Sequence, residues 1–169
     1  MFWRQICGIL KVAPDLANPD TLRPRPRRSV RVFTAHPYGQ ADEKRLGSLA
    51  RRLLRQEGWD LQVHVIVADD AELARLHAQF LGDPEPTDVM AFPGDPDDGT
   101  PGEIYVSLDQ AREQALEDGE PVQKALERLV VHGLLHLGGW RDDSEDERRA
   151  MLEHGERYLS GPYDVLPGG

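Results

Sequence analysis

His132, His136 and Asp142 are the residues of this chain whose types and spacing point most directly to chemistry. Histidines at i and i+4 share one face of an α-helix, with Cβ atoms roughly 5–6 Å apart, so both imidazoles reach one cation. Gly138 and Gly139 follow at once and end the helix, since glycine accepts the left-handed conformation that helix exits commonly use. The chain then folds back and presents Asp142 as a third ligand from outside the helix. Three protein ligands leave one position for water, the arrangement of a catalytic zinc rather than a structural one. The competing reading is a pair of packed core histidines followed by an acidic helix start, in which an aspartate, Asp142 or Asp143, caps the next helix. Paired histidines, a glycine break and then a carboxylate favour the metal. Zinc-protease helices carry Glu directly after the first histidine as general base. Here that position is Gly133, so a peptidase would lack its base.

The elements that position these residues follow from periodicity. Pro121 to Leu137 forms the metal helix, with proline in its first turn. Leu126, Val130, Leu134 and Leu137 face the core, while Ala125, Leu129, His132 and His136 share another face. Ser29 to Thr34 is a strand, Ala41 to Glu57 a helix ended by Gly58, and Trp59 to Ala68 the clearest strand, with Leu61, Val63, Val65 and Val67 in strict alternation. His64 sits on the other face of that strand and reads as structural. Asp70 to Phe80 is a helix capped by Asp69 or Asp70, Val89 to Phe92 a short strand, and Gly94 to Gly102 a Pro/Asp/Gly loop. Glu103 to Ser107 is a strand, Asp109 to Asp118 a helix, and the acidic stretch Asp143 to Leu159 a final helix. Strands and helices without a regular βαβ repeat argue an α+β fold.

A chain of 169 residues suffices for one domain with a proper core. The expected organisation is a Pro-rich, basic and flexible extension over residues 1–28, a domain over 29–161 and a tail over 162–169. Met1 to Leu10 faintly resembles a signal peptide, but Arg4 and Gln5 break its short apolar stretch, so it reads as an extension. The single cysteine, Cys7, excludes an intramolecular disulfide framework and fits a cytoplasmic protein without a disulfide-linked partner. No apolar run is long enough for a membrane span. Net charge is −10, yet residues 1–60 hold 12 Lys and Arg against 6 Asp and Glu. Within that basic half, Arg51, Arg52 and Arg55 are candidate substrate-binding residues for a nucleic-acid backbone, with a solvated helix face as the alternative.

Three stretches, His132-Gly133-Leu134-Leu135-His136-Leu137-Gly138-Gly139, Pro86-Thr87-Asp88-Val89-Met90-Ala91-Phe92 and Gly102-Glu103-Ile104-Tyr105-Val106-Ser107, resemble in order and spacing the signatures of the YbeY family of bacterial metal-dependent endoribonucleases. The likeness covers roughly residues 30–160. It implies a small mixed β-sheet with surrounding helices and a zincin-like metal helix, and one Zn2+ per chain. It also implies a single-strand-specific endoribonuclease of 16S rRNA maturation and ribosome quality control, with rRNA and the small ribosomal subunit as partners. The family's third metal-binding histidine aligns with Asp142, a competent zinc ligand, and the Asp before it with Arg141. Asp88 and Glu103 are candidates for orienting the attacking water, each with a structural turn or strand role as the alternative. Leu81 stands where the family usually carries an Arg suited to a substrate phosphate; the family's Asn and Ser positions read His77 and Ala91. Two rival functions follow: a non-catalytic, metal-containing ribosome-assembly factor, favoured by Leu81, and a zinc peptidase, disfavoured by Gly133.

Overall fold

A computed structural model of the chain describes residues 28–82 and 86–159. The elements in chain order are β1 (Ser29–Thr34), α1 (Glu43–Glu57), β2 (Gln62–Ala68), α2 (Asp70–Leu81), β3 (Val89–Phe92), β4 (Gly102–Ser107), α3 (Leu108–Asp118), α4 (Val122–Leu137) and α5 (Glu145–Leu159). The extension expected over 1–28, Arg28 apart, and the tail over 162–169 lie outside the described residues. The strands form one sheet in the order β1-β2-β4-β3, with β1, β2 and β4 parallel and β3 antiparallel to β4. This is the small mixed sheet of an α+β fold. One βαβ unit, β1-α1-β2, is present without becoming a repeat.

Alternation along the strands sorts side chains to two faces. Val63, Val65, Val67, Ile104 and Val106 are fully buried on one face, which packs against α1 and α4. Burying each such side chain contributes roughly 1.5–3 kcal/mol. On the other face Phe92 meets Tyr105 edge-on and Phe80 of α2, while Phe33 meets His64. The structural reading of His64 agrees with that contact.

Helix α4 runs through the middle of the domain, against β3, β4, α1, α3 and α5. It is therefore buried nearly all round rather than along the two stripes expected from its periodicity. Its buried set even includes Glu127, whose carboxylate pairs with Arg45 of α1. Gly133 explains how closely α4 approaches the sheet. A Cβ there would lie 2.6 Å from Ile104 Cγ2 and 3.2 Å from Val89 Cγ2.

Side-chain caps set the helix starts. Asp42 accepts from Arg45 N, Asp69 from Glu72 N and Ser107 from Gln110 N. Asp69, not Asp70, is thus the cap of α2. Pro121 sits one residue outside α4, as its N-cap. The expected start of β2 at Trp59 shifts to Gln62, because Trp59 is diverted to pack against the exit of α4.

Candidate metal centre

The site lies where α4 ends and the chain turns toward α5. His132 and His136 share a face of α4, with Nε2 atoms 3.0 Å apart. Asp142 Oδ2 lies 3.8 Å from His132 Nε2 and 3.7 Å from His136 Nε2. Three ligand atoms each about 2.0–2.2 Å from one ion lie at such mutual distances. The structure therefore brings together the three residues singled out by spacing, in a group that could hold a metal ion.

The two glycines after α4 do different jobs. Gly138 keeps a right-handed conformation at φ −78°, but a Cβ on it would fall 1.9 Å from the Trp59 ring. Only Gly139, at φ +96°, supplies the left-handed turn, so the expectation holds for one of the pair. After the turn Trp140 N donates to Leu135 O, which returns the chain toward the histidines. Asp142 is free to join them because α5 is capped by neither aspartate. Ser144 Oγ accepts from Glu147 N while Glu147 Oε2 accepts from Ser144 N, a reciprocal capping box. The pattern Ser144-x-x-Glu147 was available in the sequence and identifies the cap. Asp143 instead binds Arg141.

The electrostatics suit a cation. Burial, reinforced by the neighbouring His136, pushes the His132 imidazole down to about 4, against the pull of Asp142 and Asp88. Burial also lowers His136, opposed by Asp142. Both rings are thus neutral near pH 7, with lone pairs available to a metal. His136 Nδ1 lies 3.1 Å from the carbonyl oxygen of Trp140. Donation there leaves Nε2 as the ligand atom, a common outer-sphere arrangement of metal-binding histidine. Residue type alone gave no hint of this role for Trp140, since a backbone carbonyl makes the contact.

The other candidates divide. Asp88 is one of the charges acting on His132. Its carboxylate accepts from Gln114 Nε2 at 3.0 Å, and its carbonyl receives Ser107 N at 2.9 Å. Glu103 is not brought to the site. Its neighbour Ile104 faces α4, so strand alternation turns Glu103 to the opposite face, where Tyr105 Oη donates to it at 3.1 Å. Arg51, Arg52 and Arg55 lie on α1; the Arg51 guanidinium bonds Ser48, and Arg52 binds the Tyr158 carbonyl at the far end of α5 from Asp142. None of the three is brought to the metal group. Leu81 is the last residue of α2 and Ala91 is buried in β3. His77 Nδ1 is buried without a hydrogen-bond partner among the described residues.

Fold and site together define a mixed-sheet α+β domain whose central helix and its exit carry a two-histidine, one-aspartate group that could hold a metal ion. The chain belongs to the YbeY family: the family described as Endoribonuclease YbeY matches residues 34–161. Among similar proteins named Endoribonuclease YbeY, that of Gloeobacter violaceus is 38% identical over 63% of this chain and 59% of its own length. That of Myxococcus xanthus is 32% identical over 86% of this chain and 52% of its own, and that of Thermobifida fusca 33% over 72% and 86%. The chain thus spans little more than half the length of the first two. The solution structure of a Thermotoga maritima protein, TM1509, superposes with a TM-score of 0.55 at 29% identity, over 83% of this chain and 98% of that one.

Proposed function

We propose that this protein is a zinc-dependent, single-strand-specific endoribonuclease acting in 16S rRNA maturation and ribosome quality control, in the cytoplasm and on the small ribosomal subunit. The observation that carries the reading is the convergence of His132, His136 and Asp142 with both imidazoles neutral, in a member of an endoribonuclease family. None of the helices among the described residues is long and apolar enough to cross a membrane.

His132 and His136 would hold one zinc ion through Nε2, and Asp142 through a carboxylate oxygen. Zinc bound there supplies Lewis acidity that makes water nucleophilic near neutral pH. Asp142 adds negative charge that two neutral imidazoles lack. The Trp140 carbonyl fixes the His136 tautomer. Asp88, which accepts from Gln114 and whose charge acts on His132, would accept a proton from water attacking a backbone phosphorus.

Leu81 favours a second reading, a metal-containing assembly factor without nuclease activity, because leucine offers a phosphate nothing. The peptidase reading fails at Gly133, where the close approach of Ile104 leaves no room for a glutamate. The deciding experiment treats metal-stripped and zinc-reloaded protein with end-labelled single-stranded RNA and with casein. RNA cleavage restored by zinc, with casein intact, is expected. Intact RNA at full zinc occupancy would overturn the nuclease reading.

A further inference from the structure

A phosphodiester brought to the His132–His136–Asp142 group meets a site whose local charges are mostly acidic. Asp88 and Asp142 act on His132, and Asp142 and Asp143 on His136. Bound zinc would offset part of that charge, but the phosphate oxygens away from the metal still need a side-chain cation, and Leu81 supplies none.

We propose that Arg148, on the first turns of α5, holds the substrate phosphate beside the metal group. Met151 and Gly155 are buried where α5 packs on α4. Arg148 precedes Met151 by three residues and Leu152 by four, so it continues that row one turn toward Asp142. His132, Val131 and Leu135 of α4, with Met151, Leu152 and Gly155 of α5, line a groove between the two helices. Arg148, one turn before Leu152, lies on α5 toward the end of the helix that follows Asp142. Its guanidinium is exposed and makes no ion pair or hydrogen bond among the described residues. Its charge nonetheless reaches His132 and lowers that ring's basicity.

The neighbouring arginines are engaged. Arg128, one turn before His132 and lining the same groove, pairs with Glu120 and Asp118. Arg141 is bound by Asp143 and Arg149 by Asp146. A guanidinium presents a planar fork that matches two phosphate oxygens, and an unpaired one gives up no existing partner to do so.

The inference rests on the nuclease reading for its substrate, and the test separates the two. Binding is measured with a short 2′-O-methyl single-stranded RNA, and cleavage with its unmodified counterpart, at matched zinc occupancy. Arg148→Gln should weaken binding and raise KM about ten- to hundredfold. It should reduce the slope of log affinity against log salt by about 0.7, the contribution of one phosphate on a single strand. Zinc affinity and thermal stability should not move, because Arg148 neither ligates the metal nor packs in the core. Arg148→Lys should restore the salt slope but only part of the affinity. Unchanged binding and slope in Arg148→Gln would overturn the proposal, as would a wild type that binds no RNA. If the wild type binds but does not cleave, the nuclease reading falls while the binding comparison still decides the role of Arg148.

Discussion

The indole of Trp140 stacks on the imidazole of His154, with ring centroids 4.5 Å apart and planes inclined by 23°. His154 in turn pairs with Glu57 at the end of α1, and Tyr158 donates to the same carboxylate. Those two hydrogen bonds outweigh burial and hold Glu57 below its usual range. Burial and the Glu57 charge push Tyr158 up to about 12. Because the Trp140 carbonyl faces His136 Nδ1, this chain of contacts ties the exit of α4 to α1 and α5. Removing the stack should loosen the ligand beyond it. Trp140→Ala is expected to weaken zinc binding about ten- to hundredfold, as loss of outer-sphere support typically does, and His154→Ala by less. Competition against a chromophoric chelator measures both; unchanged affinity in the two variants would disconnect the stack from the metal.

Metal content tests the ligand set directly. Protein purified without chelator should carry about one zinc per chain, and His136→Ala should carry essentially none while remaining folded. A catalytic site with three protein ligands contributes less to folding than a closed four-ligand one. Elemental analysis alongside circular dichroism reads both, and full zinc content in the variant would remove His136 from the site.

Acid should destabilise the metal-free protein through His132. Burial holds that imidazole at about 4 in the folded chain, against a reference of 6.5, so the unfolded chain takes up a proton first. The stability contributed by the neutral ring is complete above about pH 6.5 and is lost as pH falls toward 4, a change of up to about 3 kcal/mol. Urea unfolding of the metal-free protein across this range should show the decline, and His132→Gln should flatten it. Equal pH slopes for the two proteins would assign the acid sensitivity elsewhere.

Gly133→Ala should destabilise the domain by about 1–3 kcal/mol, the usual consequence of overpacking, since its Cβ would sit 2.6 Å from Ile104 Cγ2. Gly133→Glu should be worse and should confer no peptidase activity. Thermal melts of Gly133→Ala and of Gly133→Ala/Ile104→Val together provide the check. Partial recovery in the double variant is expected, and an undiminished melting temperature in Gly133→Ala would contradict the close approach.

Much of this protein was legible in its residues because the signals are local. The i, i+4 histidines, the alternation through Val63, Val65 and Val67 and the short β3 strand each depend on neighbours within a turn or a few residues, where helical and strand periods determine who shares a face. The boundaries that moved did so for long-range reasons. Trp59 leaves β2 for the bare backbone of Gly138, nearly eighty residues away, and periodicity carries no information about such a contact. Glu103 and Asp88 looked alike in sequence; the pairing of β4 between β2 and β3 turned Glu103 away from α4, while the charge of Asp88 acts on His132.

The sequence by itself determined the types of the candidate metal ligands, the shared helical face of His132 and His136, the helix break at Gly138 and Gly139 and the family, since short-range geometry and co-ordered motifs suffice for these. Only the tertiary structure decided that Asp142 joins the two histidines in a group that could hold a metal ion, that Gly139 rather than Gly138 makes the left-handed turn, that burial lowers both imidazoles, and that Arg148, without an ion pair among the described residues, acts on His132. Protonation, pairing and reach are set by burial and by charges brought in from other elements. Those quantities exist only once α4 is enclosed by the sheet, α1, α3 and α5.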